Sequence, residues 1–265
     1  MGPTSQDTEG PGPAGHDPAG HDPAGSGRLP PDRPARSAGP ARPAGLRTSV
    51  PAAVVALVLR TAIVLLALVG TNGVWLFLQV VPLVYFTTLA TLGLLVVASW
   101  SILAQLRGRP GPPAGFRLVV TVASIVAGVV AWLLIEPESA AVGPMAFGLT
   151  YGQIVHQVLP LAATVDLVVL SRRGRLTVRA AALAAAVPTA YLAVVLVAAA
   201  ALGVAPPYPF LDVRALGGAA VAGDVLVCLA VAVTAAAVLL AVDRFVPPLL
   251  PSGPDAGTSR GRRVR

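Results

Sequence analysis

The sequence predicts an all-α fold, a polytopic membrane protein built as a bundle of six transmembrane helices. Three observations lead there. Of 265 residues, 55% are hydrophobic and only 12% are charged, with mean hydropathy +0.77, whereas a soluble domain carries roughly 25% charged residues. Six apolar runs are long enough to cross a hydrocarbon core of about 30 Å, and backbone groups that lack water partners there force such runs into helices. Arginines, finally, collect between alternate runs, as positive loops do when they stay on one side of a membrane.

The formal net charge is +7, and every basic residue is arginine. In a soluble chain that balance points to nucleic acid. Here most of the arginines sit in short segments between apolar runs, where they set topology, and nucleic-acid binding is excluded. The only cysteine, Cys228, lies inside an apolar run, so no disulfide forms within one chain and the redox compartment is not revealed.

Residues 1–49 are rich in Pro, Gly, Ala and Arg with almost nothing to bury, which predicts a disordered cytoplasmic tail. No basic-then-apolar leader opens it, so the first span is its own membrane signal. Within the tail Ala14-Gly15-His16-Asp17-Pro18 repeats as Ala19-Gly20-His21-Asp22-Pro23. Paired His and Asp can ligate metal, but two short units in such a tail favour simple low complexity.

The transmembrane domain is expected over residues 50–246. Its first span covers about 52–72 and its second about 83–106, separated by Gly73 and a stretch with Trp75 and Phe77 that suits a membrane interface. Arg107, Arg109, Pro110 and Pro112 end the second span, and Arg117 opens the third, about 118–135. Glu136-Pro137-Glu138-Ser139 holds no arginine and is expected outside. The fourth span, about 147–170, runs into Arg172, Arg173, Arg175 and Arg179, the densest positive loop and so cytoplasmic. The fifth, about 180–202, leads to Pro206-Pro207-Tyr208-Pro209-Phe210-Leu211-Asp212. The sixth, about 216–242, ends at Asp243-Arg244 before a basic, disordered cytoplasmic tail, residues 247–265. The alternation places both termini in the cytoplasm of a cell membrane protein, and five or seven spans would break it. No inverted repeat of the kind many transporters carry is visible.

Ionisable groups inside spans cost about 2.5–3.5 kcal/mol on insertion scales, so Arg60, His156, Asp166 and Asp224 are the functional candidates. His156 can be neutral at little cost. Pro160 follows four residues later and has no N–H for the His156 carbonyl, which predicts a kink and a cavity at the imidazole. A histidine bonded to a neighbouring helix as glue is the plainer reading. Asp166 lies about 15 Å further along the same helix and about 80° around it, too far to bond the imidazole. It is expected to form a structural ion pair with Arg60 of the first span. Asp224 lies near the level of His156 and is expected either to orient the ring or to sit exposed near a helix N-terminus.

The second span opens Tyr85-Phe86-Thr87-Thr88-Leu89-Ala90-Thr91. Threonine in a membrane helix usually bonds back to the carbonyl one turn earlier, so its hydroxyl alone says little. Thr87, however, lies at the depth of His156, and a hydroxyl beside an imidazole is a nucleophile beside its base.

Phe86-Thr87 at the head of the second span, His156 with Pro160 and Asp166 in the fourth, Tyr191 in the fifth, and Tyr208-Pro209-Phe210-Leu211-Asp212 before the sixth resemble the androgen-inducible membrane hydrolase family and its bacterial "Pr-six-Pr" branch. The likeness covers about residues 52–242 and neither tail. It implies a multi-span hydrolase that cleaves fatty acid esters of hydroxy fatty acids, with the nucleophile on Thr87 and the histidine on His156. Bacterial relatives often follow the threonine with Ser-Asn, where this chain has Ala90-Thr91, and Thr88 leaves the choice of hydroxyl open.

The expectation is therefore an integral membrane hydrolase acting on a fatty acyl ester among the membrane lipids, near the outer leaflet. Thr87 attacks the carbonyl and His156 acts as base and then acid. Tyr191 and Tyr208 are candidate oxyanion donors, and Asp212, Asp224, Arg60 and Asp166 are supporting residues. No metal or organic cofactor is implied, since no ligand cluster or phosphate loop is present in the spans. The alternative is a non-enzymatic protein that binds a lipid or partner, or carries a small solute. Gly148 and Gly152, spaced four apart, suit close helix packing under either.

Overall fold

A computed structural model describes residues 50–75, 78–135, 144–171 and 173–247. The tails expected over residues 1–49 and 247–265, apart from Pro247, and the loop Glu136–Ser139 lie outside the described residues. Six helices are long and apolar enough to cross a membrane, and no strand occurs among the described residues. They are α1 (Val50–Gly70), α2 (Phe86–Leu106), α3 (Ala114–Leu134), α4 (Tyr151–Val169), α5 (Val178–Leu202) and α6 (Gly218–Phe245). The chain is a multi-pass membrane protein.

The helices begin and end where local chemistry allows, which moves several boundaries from their expected places. Val81–Val84 forms a 3₁₀ turn with Pro82 in its first turn, and extended Tyr85 intervenes, so α2 starts at Phe86 rather than near residue 83. Before α4, Phe147 (φ 54°) and Gly148 (φ +75°) adopt left-handed backbone that no helix contains, and Ala146 pairs with Leu149. Helix α4 then opens on a reciprocal cap. The Gln153 N–H donates to Thr150 Oγ1 at 3.2 Å, and the Gln153 side-chain oxygen accepts from the Thr150 N–H at 3.0 Å. Gly217 (φ +81°) separates the turn Val213–Leu216 from α6, which runs on to Phe245.

Helix α3 is central. It packs against α2, α4, α5 and α6, while α1 lies against α2 and α4. Its buried residues include Ala123, Ser124, Ala127 and Gly128, small enough for neighbours on several sides. One apolar cluster gathers α3, α5 and α6 with Phe210 and Leu211, and a second gathers α1, α2 and α4. Gly148 does not contribute to close packing, since it sits in the turn before α4 with open space around it. The close approaches are elsewhere. A Cβ at Gly70 would lie 2.8 Å from Val155 Cγ1, and one at Gly93 would lie 3.2 Å from Val120.

At the arginine-bearing end of the bundle, one buried carboxylate joins four helices. Asp166 Oδ1 accepts from Arg60 Nε at 2.9 Å, and Oδ2 accepts from Arg117. Arg60 continues to Gln105 Oε1 at 2.9 Å, and Gln105 donates to the Ala53 carbonyl at 2.8 Å. The expected Arg60–Asp166 pair is present, and Arg117 and Gln105 are additions. A second buried carboxylate, Asp243 near the end of α6, accepts from the Leu176 N–H at 2.9 Å and so pins the α4–α5 loop.

Removing Asp166 leaves two partly desolvated guanidinium groups without their counter-charge, whereas removing one arginine leaves one pair. Asp166→Ala should lower stability in detergent by about 3–5 kcal/mol, and more than either Arg60→Ala or Arg117→Ala. Thermal unfolding of the three variants checks the order.

Candidate functional site

The site forms at the opposite end of the bundle, where the fourth span breaks its regular hydrogen bonding. Pro160 offers no N–H to the His156 carbonyl. At that level residues Ile154–Val158 form a π turn in which the Leu159 N–H reaches back to the Ile154 carbonyl. Such one-turn bulges widen a helix and re-aim its side chains. The widened turn lies between two glycines. Val155 rests on Gly70 of α1, and a Cβ at Gly128 of α3 would collide with the His156 carbonyl oxygen.

That approach brings the residue before Gly128 onto the imidazole. His156 Nδ1 lies 3.2 Å from the Ala127 carbonyl oxygen. A carbonyl only accepts, so Nδ1 carries a proton in this contact, and in the neutral tautomer Nε2 is the basic nitrogen. Asp224, expected either to orient the ring or to sit exposed near a helix N-terminus, is partly buried on α6 one turn before Cys228 and lines neither cavity described below. The backbone carbonyl of Ala127 meets the ring.

His156 lines a cavity of about 350 Å³ together with Thr87, Thr88, Tyr85, Tyr151 and Tyr208. The expected nucleophile and base thus border one space, and so does the neighbouring Thr88. Thr87 and Thr88 sit in the first turn of α2, a full turn short of the register in which Thr91 bonds back to the Thr87 carbonyl at 2.8 Å. Thr87 also borders a second, narrower cavity of about 30 Å³, which Thr88 does not reach.

Aromatic residues fix the start of α2. The Phe86 N–H donates to Tyr208 Oη at 2.9 Å, which satisfies one of the amides that a helix start leaves open. The Tyr208 ring packs edge-on to Tyr85 at 5.6 Å and stacks on Phe210 at 5.3 Å, with ring planes 23° apart. Burial pushes the Tyr208 phenol above its usual value against the hydrogen bonds of Thr87 and Phe86, so it stays protonated at neutral pH.

Comparison with protein-family models, curated proteins and solved structures finds no match. The geometry therefore stands by itself.

The remaining expected residues divide. Tyr191 donates its hydroxyl to the Val84 carbonyl, and its ring lies 5.0 Å from Phe86. It braces the turn before α2. Asp212 accepts from the Arg214 and Ala215 N–H groups at 2.9 and 3.3 Å, which makes it the N-cap of the turn Val213–Leu216. Arg60 and Asp166 belong to the ion cluster at the other end. Ala127 and Gly128 had no sequence signal, since a backbone carbonyl and a missing side chain act here. Arg117 and Gln105 had one: each lies near a span end at the depth of Asp166.

Gly128→Ala should push α3 from α4 and cost about 1–3 kcal/mol, because the obstacle is backbone and cannot rotate away. Gly223→Ala on α6, with open space around it, should be close to neutral. Detergent melting curves of both variants test the contrast.

Proposed function

We propose that the larger cavity is the active site of a lipid-ester hydrolase, related to the androgen-inducible membrane hydrolases, in which Thr87 is the nucleophile and His156 the base. The observation that supports this reading is that both residues border one cavity while the Ala127 carbonyl holds the ring with Nε2 as the basic nitrogen. Thr87 is preferred to Thr88 because it alone of the two borders both cavities.

In this reading Nε2 takes the Thr87 proton as Oγ1 attacks the acyl carbonyl, then returns it to the leaving alcohol. Tyr208 is the better oxyanion donor of the two tyrosines. The Tyr191 proton already goes to Val84, whereas Tyr208 Oη accepts from Phe86, is hydrogen-bonded with Thr87 and lies beside both cavities. The substrate is a fatty acyl ester drawn from the membrane. We place the protein in the cell membrane, where the positive-inside rule puts both termini in the cytoplasm and the cavity near the outer leaflet.

Residues that act as one unit are not additive, so Thr87→Ala, His156→Ala and the double variant should each reduce hydrolysis of a fluorogenic acyl ester by a similar factor, about 10³ or more. Thr88→Ala should retain most activity. Labelling by a fluorophosphonate probe should follow the same pattern. Activity surviving in Thr87→Ala but lost in Thr88→Ala moves the nucleophile by one residue, and no hydrolysis by the intact chain rejects the enzyme reading in favour of a lipid-binding protein.

Orientation has its own test. Reporter fusions after Leu106 and Leu170 should read as cytoplasmic, and fusions within Glu136–Ser139 or Pro206–Asp212 as external. An external signal after Leu170 overturns the assigned orientation.

A further inference from the structure

At the end of the bundle that carries His156, α1 and α3 finish and α2 and α4 begin, and the segments beside them turn large apolar side chains outward. Leu78, after α1, is 83% exposed, and Phe147, before α4, is 81% exposed. Leu78 and Phe147 are also the non-glycine residues with left-handed backbone among the described residues, at φ 50° and 54°. That conformation suits glycine or asparagine and disfavours both of these bulky residues. Neither side chain is buried, so packing within the chain does not explain why it stands there.

Both residues border the way into the larger cavity. Gln79 and Val81, just after Leu78, line that cavity and are themselves exposed, so it reaches the surface beside Leu78. Tyr151, four residues after Phe147, lines it too. Trp75, after α1, and Trp132, in the last turn of α3, are both exposed at this end. Tryptophan on a membrane protein gathers where hydrocarbon meets headgroups. An apolar side chain pointing outward at that level meets lipid, and its burial there offsets the strained backbone beneath it.

We propose that Leu78 and Phe147 are two membrane prongs that seat the mouth of the larger cavity in the headgroup region of the leaflet, and that the ester enters the site sideways from the lipid. What enters rests on the hydrolase reading; the seating of the mouth does not. The route matches a fatty acyl substrate, because a chain that slides in from the leaflet never exposes its methylenes to water.

Seating is read in phosphatidylcholine nanodiscs, with the full chain carrying Cys228→Ala, which removes the only native thiol, and one new cysteine labelled with the fluorophore NBD. At Leu78→Cys and Phe147→Cys, lipid with a doxyl group near the headgroup end of its acyl chain should quench about twofold or more beyond aqueous iodide. Arg109→Cys, past the far end of α2, should show the opposite order. Stronger quenching by iodide at either prong overturns the pair. Entry is read with the double variant Leu78→Asn, Phe147→Asn. Asparagine accepts left-handed backbone, so the melting temperature in detergent should hold or rise. The ratio of kcat/KM for methylumbelliferyl palmitate held in the nanodisc to that for p-nitrophenyl acetate in water should fall about tenfold. A lower melting temperature shows a packing role, and an unchanged ratio in the folded variant shows another way in; either result overturns the route. Failure of the wild-type chain to hydrolyse either ester rejects the hydrolase reading and the route with it, and the quenching still decides the seating.

Discussion

A backbone acceptor inside a membrane has no water to turn to, and Pro160 removes the N–H that the His156 carbonyl would otherwise use. The local structure follows from that loss. Residues Ile154–Val158 widen into a π turn, and the carbonyl is met by Gly128, whose missing side chain lets α3 come up against it. The hydrogen that Gly128 carries in place of a Cβ points at the oxygen, a weak contact worth about 0.5–1 kcal/mol. Once α3 sits that close, the preceding carbonyl, Ala127, lies within bonding distance of the imidazole. The broken helix, the glycine and the set of the ring are one arrangement.

The same helix is held at its other end by charge. Asp166 lies ten residues beyond His156 and is gripped from two sides, by Arg60 of α1 and Arg117 of α3. Each contact alone would leave α4 free to turn about its axis. Together, the backbone contact at one end and the paired guanidinium groups at the other fix its rotation, and therefore which face His156 presents. The two arginines also explain how a single carboxylate is accommodated at that depth, since neither oxygen lacks a cationic donor.

The fold was legible because a span of about 20 apolar residues admits only one secondary structure. Boundaries shifted where a single residue decided them, as at left-handed Phe147 and Gly148 or at Gly217. The Arg60–Asp166 pair was legible from depth and sign, but Arg117 was read as a topological charge because it opens a span. Pro160 announced a break, yet the room for a π turn there comes from Gly70 and Gly128, residues far off in sequence. Asp212 carries an acidic side chain suited to a site and serves as a cap. Cys228 had been weighed only for disulfides, and its place on a cavity wall is a matter of packing among three helices. A carbonyl such as that of Ala127 has no residue-type signature at all.

Tyr208 closes the first amide of α2 from a position 122 residues later in the chain. A ribosome adding 5–20 residues each second reaches it on the order of 10 s after Phe86. Until then the start of α2 waits with an open N–H, and the two threonines beside it have no phenol above them. Four spans can already be in the bilayer at that moment. The end of the bundle that carries Thr87 and His156 is thus among the last parts of the molecule to be completed during biogenesis, and a chain released early would be inserted, largely helical and unfinished at Thr87.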